Sequence, residues 1–163
     1  MYQNQNFISI TNKKAEELLA FLAWENGPVK KIKAAETLWP DSSIEKARDS
    51  LYKVCRYLSS LQKNDISIPF TQYREELYLD LSQVECDFLI FESLCKENNC
   101  IAQWEEAVKL YHGPFLFDHY YEWTEQAEAY YDIRYLELIQ RLADYYQKQG
   151  NAKLVSFYKN KLL

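Results

Sequence analysis

Apolar residues recur along this chain at helical spacing, in blocks separated by turn-forming residues. Phe7 to Ile10 alternates like a short strand and runs into Thr11-Asn12, either of which can cap a helix. The spacing predicts a first helix to about Asn26, with Ala15, Leu18, Leu19, Leu22 and Ala23 on one face and Gly27-Pro28 as its stop. A second helix, about Val29 to Trp39, is expected to bury Ile32, Ala35, Leu38 and Trp39. Pro40 ends it, because the residue before a proline is pushed out of the helical region. In Asp41-Ser42-Ser43-Ile44-Glu45, Ser42 reads as the cap of a third helix, with Glu45 reaching back to complete a capping box. Residues 43–63 then carry an apolar stripe of Ile44, Ala47, Leu51, Val54, Cys55, Leu58 and Leu61. The opposite face holds Glu45, Asp49, Tyr52, Lys53, Arg56, Ser60 and Lys63.

After Asn64-Asp65, the segments Ile66 to Phe70 and Tyr73 to Leu81 are β-branched or aromatic and partly alternating, which predicts a hairpin. Three helices followed by a hairpin is the winged-helix order. From Cys86 the pattern is wholly helical, over 87–97, 101–112, 121–149 and 151–162, the third segment being long enough to break in two. Paired amphipathic helices suggest a tetratricopeptide-like stack, although no strict repeat of about 34 residues is visible. The expected fold is mainly α with a small β-hairpin: a winged helix-turn-helix domain over 1–83 and an all-helical tetratricopeptide-like domain over 84–163.

Charge changes this picture by dividing it. The net charge of −5 argues against a nucleic-acid partner, but residues 1–63 hold ten Lys and Arg against seven Asp and Glu, whereas residues 64–163 hold nine against seventeen. The first part suits DNA; the second suits a protein surface. Composition adds that 48% hydrophobic residues suffice for a core, and that three glycines and four prolines favour long helices. No apolar run is long enough to span a bilayer, and the start MYQNQNFISITNKK lacks the basic-then-apolar order of a secretory signal. A cytoplasmic protein with no membrane partner is expected.

Candidate chemistry is sparse. Cys55, Cys86, Cys95 and Cys100 have no CxxC spacing and read as reduced thiols in apolar helix positions. His112 and His119 stand without a cysteine or carboxylate at ligand spacing, so no metal is expected. There is no nucleophile elbow, phosphate-binding glycine loop or HExxH, and the pairs Glu16-Glu17 and Glu105-Glu106 diverge by about 100° round their helices. Neither catalysis nor a cofactor is expected.

Four segments carry a family resemblance. Leu38-Trp39-Pro40-Asp41 followed by Ala47-Arg48 and Ser50-Leu51, then Cys86-Asp87-Phe88 with Phe91, then Ala107 to Leu116 (AVKLYHGPFL), then Glu122-Trp123 with Glu128, resemble in order the blocks of the Streptomyces antibiotic regulatory proteins and related two-component response regulators with a bacterial transcriptional activator domain. The resemblance covers nearly the whole chain. It implies a winged helix whose third helix enters the major groove of double-stranded DNA, and a helical activator domain that contacts RNA polymerase or another protomer, with a homodimer as a further expectation. No segment before Phe7 has room for a receiver domain, so a fragment of a longer regulator is expected. Two departures stand out. Arg56-Tyr57-Leu58-Ser59-Ser60 holds a single cation where the family carries a basic run, and Arg74-Glu75-Glu76 occupies the wing tip, where the family carries glycine and basic residues. Carboxylates there repel phosphate, implying modest affinity or dependence on dimerisation.

The candidate DNA contacts are Arg48, Tyr52, Lys53 and Arg56 on the third helix, Lys30 and Lys31 at the start of the second beside Lys33, and Arg74 on the wing. An ordinary solvated helix face is the alternative on the third helix and a merely soluble helix end the alternative for Lys30, Lys31 and Lys33, and Arg48 has a further reading as an anchor of the helix start. Most of the fourteen tyrosines and four tryptophans read as packing between helices. Tyr120, Tyr121, Trp123, Tyr130 and Tyr131 are singled out as a candidate partner surface. The competing functional reading is a helical protein-interaction scaffold whose winged helix no longer binds DNA.

Overall fold

In a computed structural model of the chain, residues 2–3, 6–7, 10–63 and 68–162 are described, with side chains for 10–62 and 68–162. The expected strand residues Ile8, Ser9, Ile66 and Ser67 lie outside the described residues, as does the side chain of Lys63. The protein is mainly helical with a small antiparallel sheet, and its chain divides into two compact units, Met1–Cys86 and Asp87–Leu163. No helix among the described residues is long and apolar enough to cross a membrane.

The N-terminal unit opens with β1 (Tyr2–Gln3) and β2 (Asn6–Phe7), a two-stranded antiparallel pair. Then follow α1 (Lys13–Glu25), β3 (Val29–Lys30), α2 (Lys31–Leu38), α3 (Ile44–Lys63), β4 (Phe70–Gln72) and β5 (Glu76–Leu79). Asn12 caps α1, its side chain accepting from the Ala15 N–H at 3.1 Å. Asn26, not Gly27, takes the left-handed position at the other end, with φ of 48°. Strands β3, β5 and β4 form one antiparallel sheet in that order, with Val29 opposite Leu77 and Phe70 opposite Leu79. Leu18, Leu22, Leu38, Leu58, Leu77 and Leu79 fill the space beneath it and are fully buried. Each contributes roughly 1.5–3 kcal/mol by leaving water.

Local differences from the sequence reading have tertiary causes. Val29 and Lys30 are extended rather than helical because β5 offers them ladder partners, so α2 starts later. With α2 shortened, its buried side is Ala34, Ala35 and Leu38, and Ile32 falls on the exposed flank. Helix α3 begins at Ile44, and Ser43 rather than Ser42 stands at the cap, its carbonyl accepting from the Ala47 N–H at 2.9 Å. Ile44 is accordingly in the first turn, ahead of the packing layer, and exposed. The stripe from Ala47 through Leu51, Val54, Cys55 and Leu58 is buried.

The C-terminal unit contains α4 (Asp87–Leu94), α5 (Ile101–Leu110), α6 (Glu125–Lys148) and α7 (Ala152–Lys159), each packed on the next. Two short 3-10 turns, Phe117–His119 and Glu122–Thr124, lead into α6, which runs unbroken. Gly150, with φ of 70°, makes the turn into α7, and Asn151 caps that helix by accepting from the Leu154 N–H at 3.2 Å. Ala107, Leu138, Ile139, Leu142 and Ala143 are buried together with Phe91, Tyr131 and Tyr158.

Candidate nucleic-acid interface

One stripe of α3 must face the leucine core, so the rest of its circumference faces outward. Arg48, Tyr52 and Arg56 recur every four residues and therefore share one row, with Lys53 beside it. All four are exposed, Tyr52 to 63%. Arg48 and Lys53 make no hydrogen bond or ion pair among the described residues. The Arg56 guanidinium lies 5.9 Å from the centre of the Tyr52 ring, within cation–π distance. Glu45 and Asp49 share this side of the helix and are also exposed.

The other candidate cations are placed less favourably. Lys31 is half-buried and its ammonium donates to the Arg74 carbonyl at 3.1 Å, while its N–H donates to the Glu75 carbonyl at 2.9 Å. It holds the hairpin tip to the start of α2. Lys30 is exposed at the edge of β3, opposite Glu76. The neighbouring Lys33 is paired with Glu25 of α1. At the β4–β5 tip the Arg74 guanidinium is almost fully exposed and sits 3.7 Å from the Glu75 carboxylate, which offsets its charge.

Two side chains that the sequence reading passed over brace this surface. The Gln62 amide donates to the carbonyls of Ile68 at 2.6 Å and Phe70 at 2.7 Å, fastening the end of α3 to β4. Lys14 donates to the Leu38 carbonyl at 2.6 Å, pairs with the buried Glu17 at 2.7 Å and lies 5.3 Å from the centre of the Trp39 ring, which fixes the turn from α2 into α3. The one signal in sequence was Glu17 itself, a carboxylate beside the leucine stripe of α1. Gln62 gave none, since its partners are backbone atoms several residues on.

The aromatic candidates of the C-terminal unit separate into two kinds. Tyr131 is a correction: it is buried, its ring packs on Phe88, Phe91 and Phe115, and its hydroxyl donates to Glu92 at 3.1 Å, so no partner can reach it. Tyr121 and Trp123 are half-buried in a stack with ring centres 6.0 Å apart, which continues from His119 to Phe115. Only Tyr120 and Tyr130 of the five are exposed.

Burial pushes the thiols of Cys55 and Cys95 up to about 11, so both are protonated and inert at neutral pH. Cys100 is exposed at the start of α5 and is no part of the core, a correction to its expected place. Among the described residues, no group of three His, Cys, Asp or Glu is placed to hold a metal ion.

Comparison with known proteins adds no identification: no family model matches the chain, and no curated protein or solved structure is significantly similar to it.

Proposed function

We propose that this chain is the DNA-binding and partner-binding part of a transcriptional regulator. In this reading the N-terminal unit is a winged helix, α3 enters the major groove of double-stranded DNA, and the tetratricopeptide-like helical unit contacts RNA polymerase or another protomer. The outward row of Arg48, Tyr52 and Arg56 with Lys53 beside it is the observation that carries it, because these side chains are exposed on a helix fixed from behind. The order helix, strand, helix, helix, strand, strand, with the first strand pairing the last, is that of winged-helix proteins and supports the same reading. So does the resemblance to the Streptomyces antibiotic regulatory proteins, whose segments serve distinct ends here: Leu38, Ala47 and Leu51 are buried, Trp39 lies against Lys14, and Arg48 faces out.

Selection of bound fragments from random genomic DNA tests the proposal. Enrichment of a short recurring site is expected, with affinity falling steeply as salt rises. Lys53→Glu with Arg56→Glu should remove the enrichment, with a loss of about tenfold or more in affinity. Equal binding by that double variant would remove α3 from the interface.

One observation favours a second reading, a helical interaction scaffold without DNA binding. Glu75 and Glu76 stand at the hairpin tip, and Lys31 is spent on holding that tip. Absence of any salt-sensitive duplex binding by the unaltered chain would select this reading.

A further inference from the structure

An open groove of about 550 Å³ lies within the C-terminal unit, lined by residues of α4 and the segment after it, Leu89, Glu92, Ser93, Cys95, Lys96 and Glu97, and by Tyr130, Arg134 and Arg141 of α6. Five charged side chains share its walls with Leu89 and Tyr130, which is unlike a dry pocket for a small apolar ligand. The charges in it are unequally committed. Glu92 accepts the Tyr131 hydroxyl, and Glu97 faces Arg141 at 3.4 Å. Arg141 is also held by the Cys95 carbonyl at 3.1 Å. The Lys96 ammonium makes no ion pair among the described residues, and Arg134, with its side chain 45% exposed, donates to the Tyr130 hydroxyl at 3.4 Å and pairs loosely with Glu137 at 3.5 Å. Lys96, Arg134 and Arg141 outnumber Glu92 and Glu97 along its walls, so the groove lining is net positive, although residues 87–163 hold eight Lys and Arg against twelve Asp and Glu. Tyr130 is exposed beside Arg134, whose guanidinium is 5.5 Å from the ring centre, and Ile133 on the next turn is 57% exposed.

We propose that this groove binds an acidic peptide segment of a partner protein, with Lys96 and Arg134 meeting its carboxylates and Leu89 and Tyr130 meeting an apolar side chain. Arg134 offers the planar fork that fits a carboxylate, and its Nε donates to the Tyr130 hydroxyl at 3.4 Å. A nucleic-acid strand fits less well, because Glu92 and Glu97 would oppose a continuous row of phosphates. The proposal rests on the partner-binding half of the regulator reading. Its test contains no duplex, so its failure leaves the DNA-binding half standing.

The test is fluorescence anisotropy of the full chain with labelled peptides of equal length: one alternating Glu with Leu and Phe, one with Lys in place of Glu, and one with Ser in place of Leu and Phe. Saturable binding of the first alone is expected, weakening with salt. Lys96→Glu with Arg134→Glu, both at exposed positions, should weaken it by roughly tenfold or more, while circular dichroism reports an unchanged helix content. Arg134→Lys should recover part of the loss, because charge returns without the fork. Equal binding of the Lys peptide, unaltered binding by the double variant, displacement by a single-stranded oligonucleotide, or no binding at up to about 1 mM peptide would each overturn the proposal.

Discussion

The N-terminal unit closes its core with leucine, whereas the C-terminal unit relies heavily on aromatic rings. Phe88, Phe91, Phe115, Tyr111 and Tyr131 form one network of ring contacts there, and Tyr146 stacks on Tyr158 with ring centres 5.8 Å apart. A leucine brings no polar atom inside, so the N-terminal unit can leave most of its charge on the surface. A tyrosine brings a hydroxyl that must find an acceptor. In the C-terminal unit the acceptors are carboxylates: Asp132 for Tyr111, Glu92 for Tyr131, and Glu105 for both Tyr146 at 2.7 Å and Tyr158 at 3.3 Å. The difference teaches that the acidic balance of the second half is in part scaffold. Within that net acidic unit, one groove is lined by three cations, Lys96, Arg134 and Arg141, against two carboxylates.

Breaking each core at one residue should expose this contrast. Leu58→Ala removes a fully buried side chain between α3 and the rest of the leucine core, and a loss of about 2–5 kcal/mol is expected. Peptide-resolved hydrogen exchange should place the weakening within residues 13–79. Tyr131→Phe keeps the ring in place and deletes only the hydroxyl that Glu92 accepts. Its expected cost is smaller, about 1–2 kcal/mol, seen as faster exchange in α4 and α6. Equal protection of α4 and α6 in wild type and Tyr131→Phe would mean that the carboxylate acceptors are ornamental to the second core.

How far the sequence could be read follows the same division. The leucine stripes of α1 and α3 were legible, because one core behind an amphipathic helix writes a simple period into its residues. So was the outward row of α3, its complement. What escaped notice were contacts between distant residues. The start of α2 was misjudged because Val29 obeys β5, nearly fifty residues later in the chain, and not its own neighbours. In the second half, tyrosines occur on buried and exposed sides alike, so Tyr130 and Tyr131 looked equivalent although one is exposed and the other is closed in by three phenylalanines. Lys96 and Arg134 carry no pattern at all; they line one groove only because the segment after α4 comes to lie beside α6. The hydroxyl-to-carboxylate pairs were equally silent, spanning 21 to 53 positions.

Smaller effects sharpen the comparison, since one kind of group serves both units. Asn12 caps α1 and Asn151 caps α7 through the same side-chain bond. Asn12→Ala and Asn151→Ala should each cost about 1 kcal/mol. Hydrogen exchange should assign the first loss to the N-terminal unit and the second to the C-terminal unit. Loss of protection in both units from either variant would show that the two cores unfold as one.

Acid and alkali should divide the units in the same way. Tyr146 and Tyr158 are each raised to about 12, Tyr146 chiefly by its bond to Glu105 and Tyr158 chiefly by burial. The folded state holds these protons more tightly than the unfolded chain, whose tyrosines titrate near pH 10. Their stabilising contribution is therefore complete below about pH 10 and is lost as pH rises towards 12. Phenolate absorbance and exchange in α5 to α7 should report it together, and Tyr146→Phe with Tyr158→Phe should flatten that part of the profile. At the acid end the group is Asp80, after β5, whose carboxylate accepts from the Ser82 hydroxyl at 2.7 Å, the Gln83 amide at 2.6 Å and the Ser82 N–H at 3.1 Å. These bonds lower its pKa, so its contribution is present above about pH 4 and fades as pH falls further. Asp80 lies half-exposed at the surface and its bonds are local, so this should be the smallest of the effects, confined to the 3-10 turn Leu81–Gln83. A carboxyl chemical-shift titration of Asp80 should give a midpoint below that of an unstructured aspartate, and Ser82→Ala should bring it back towards the ordinary value. A midpoint unmoved by Ser82→Ala would mean that the turn is held by its backbone alone.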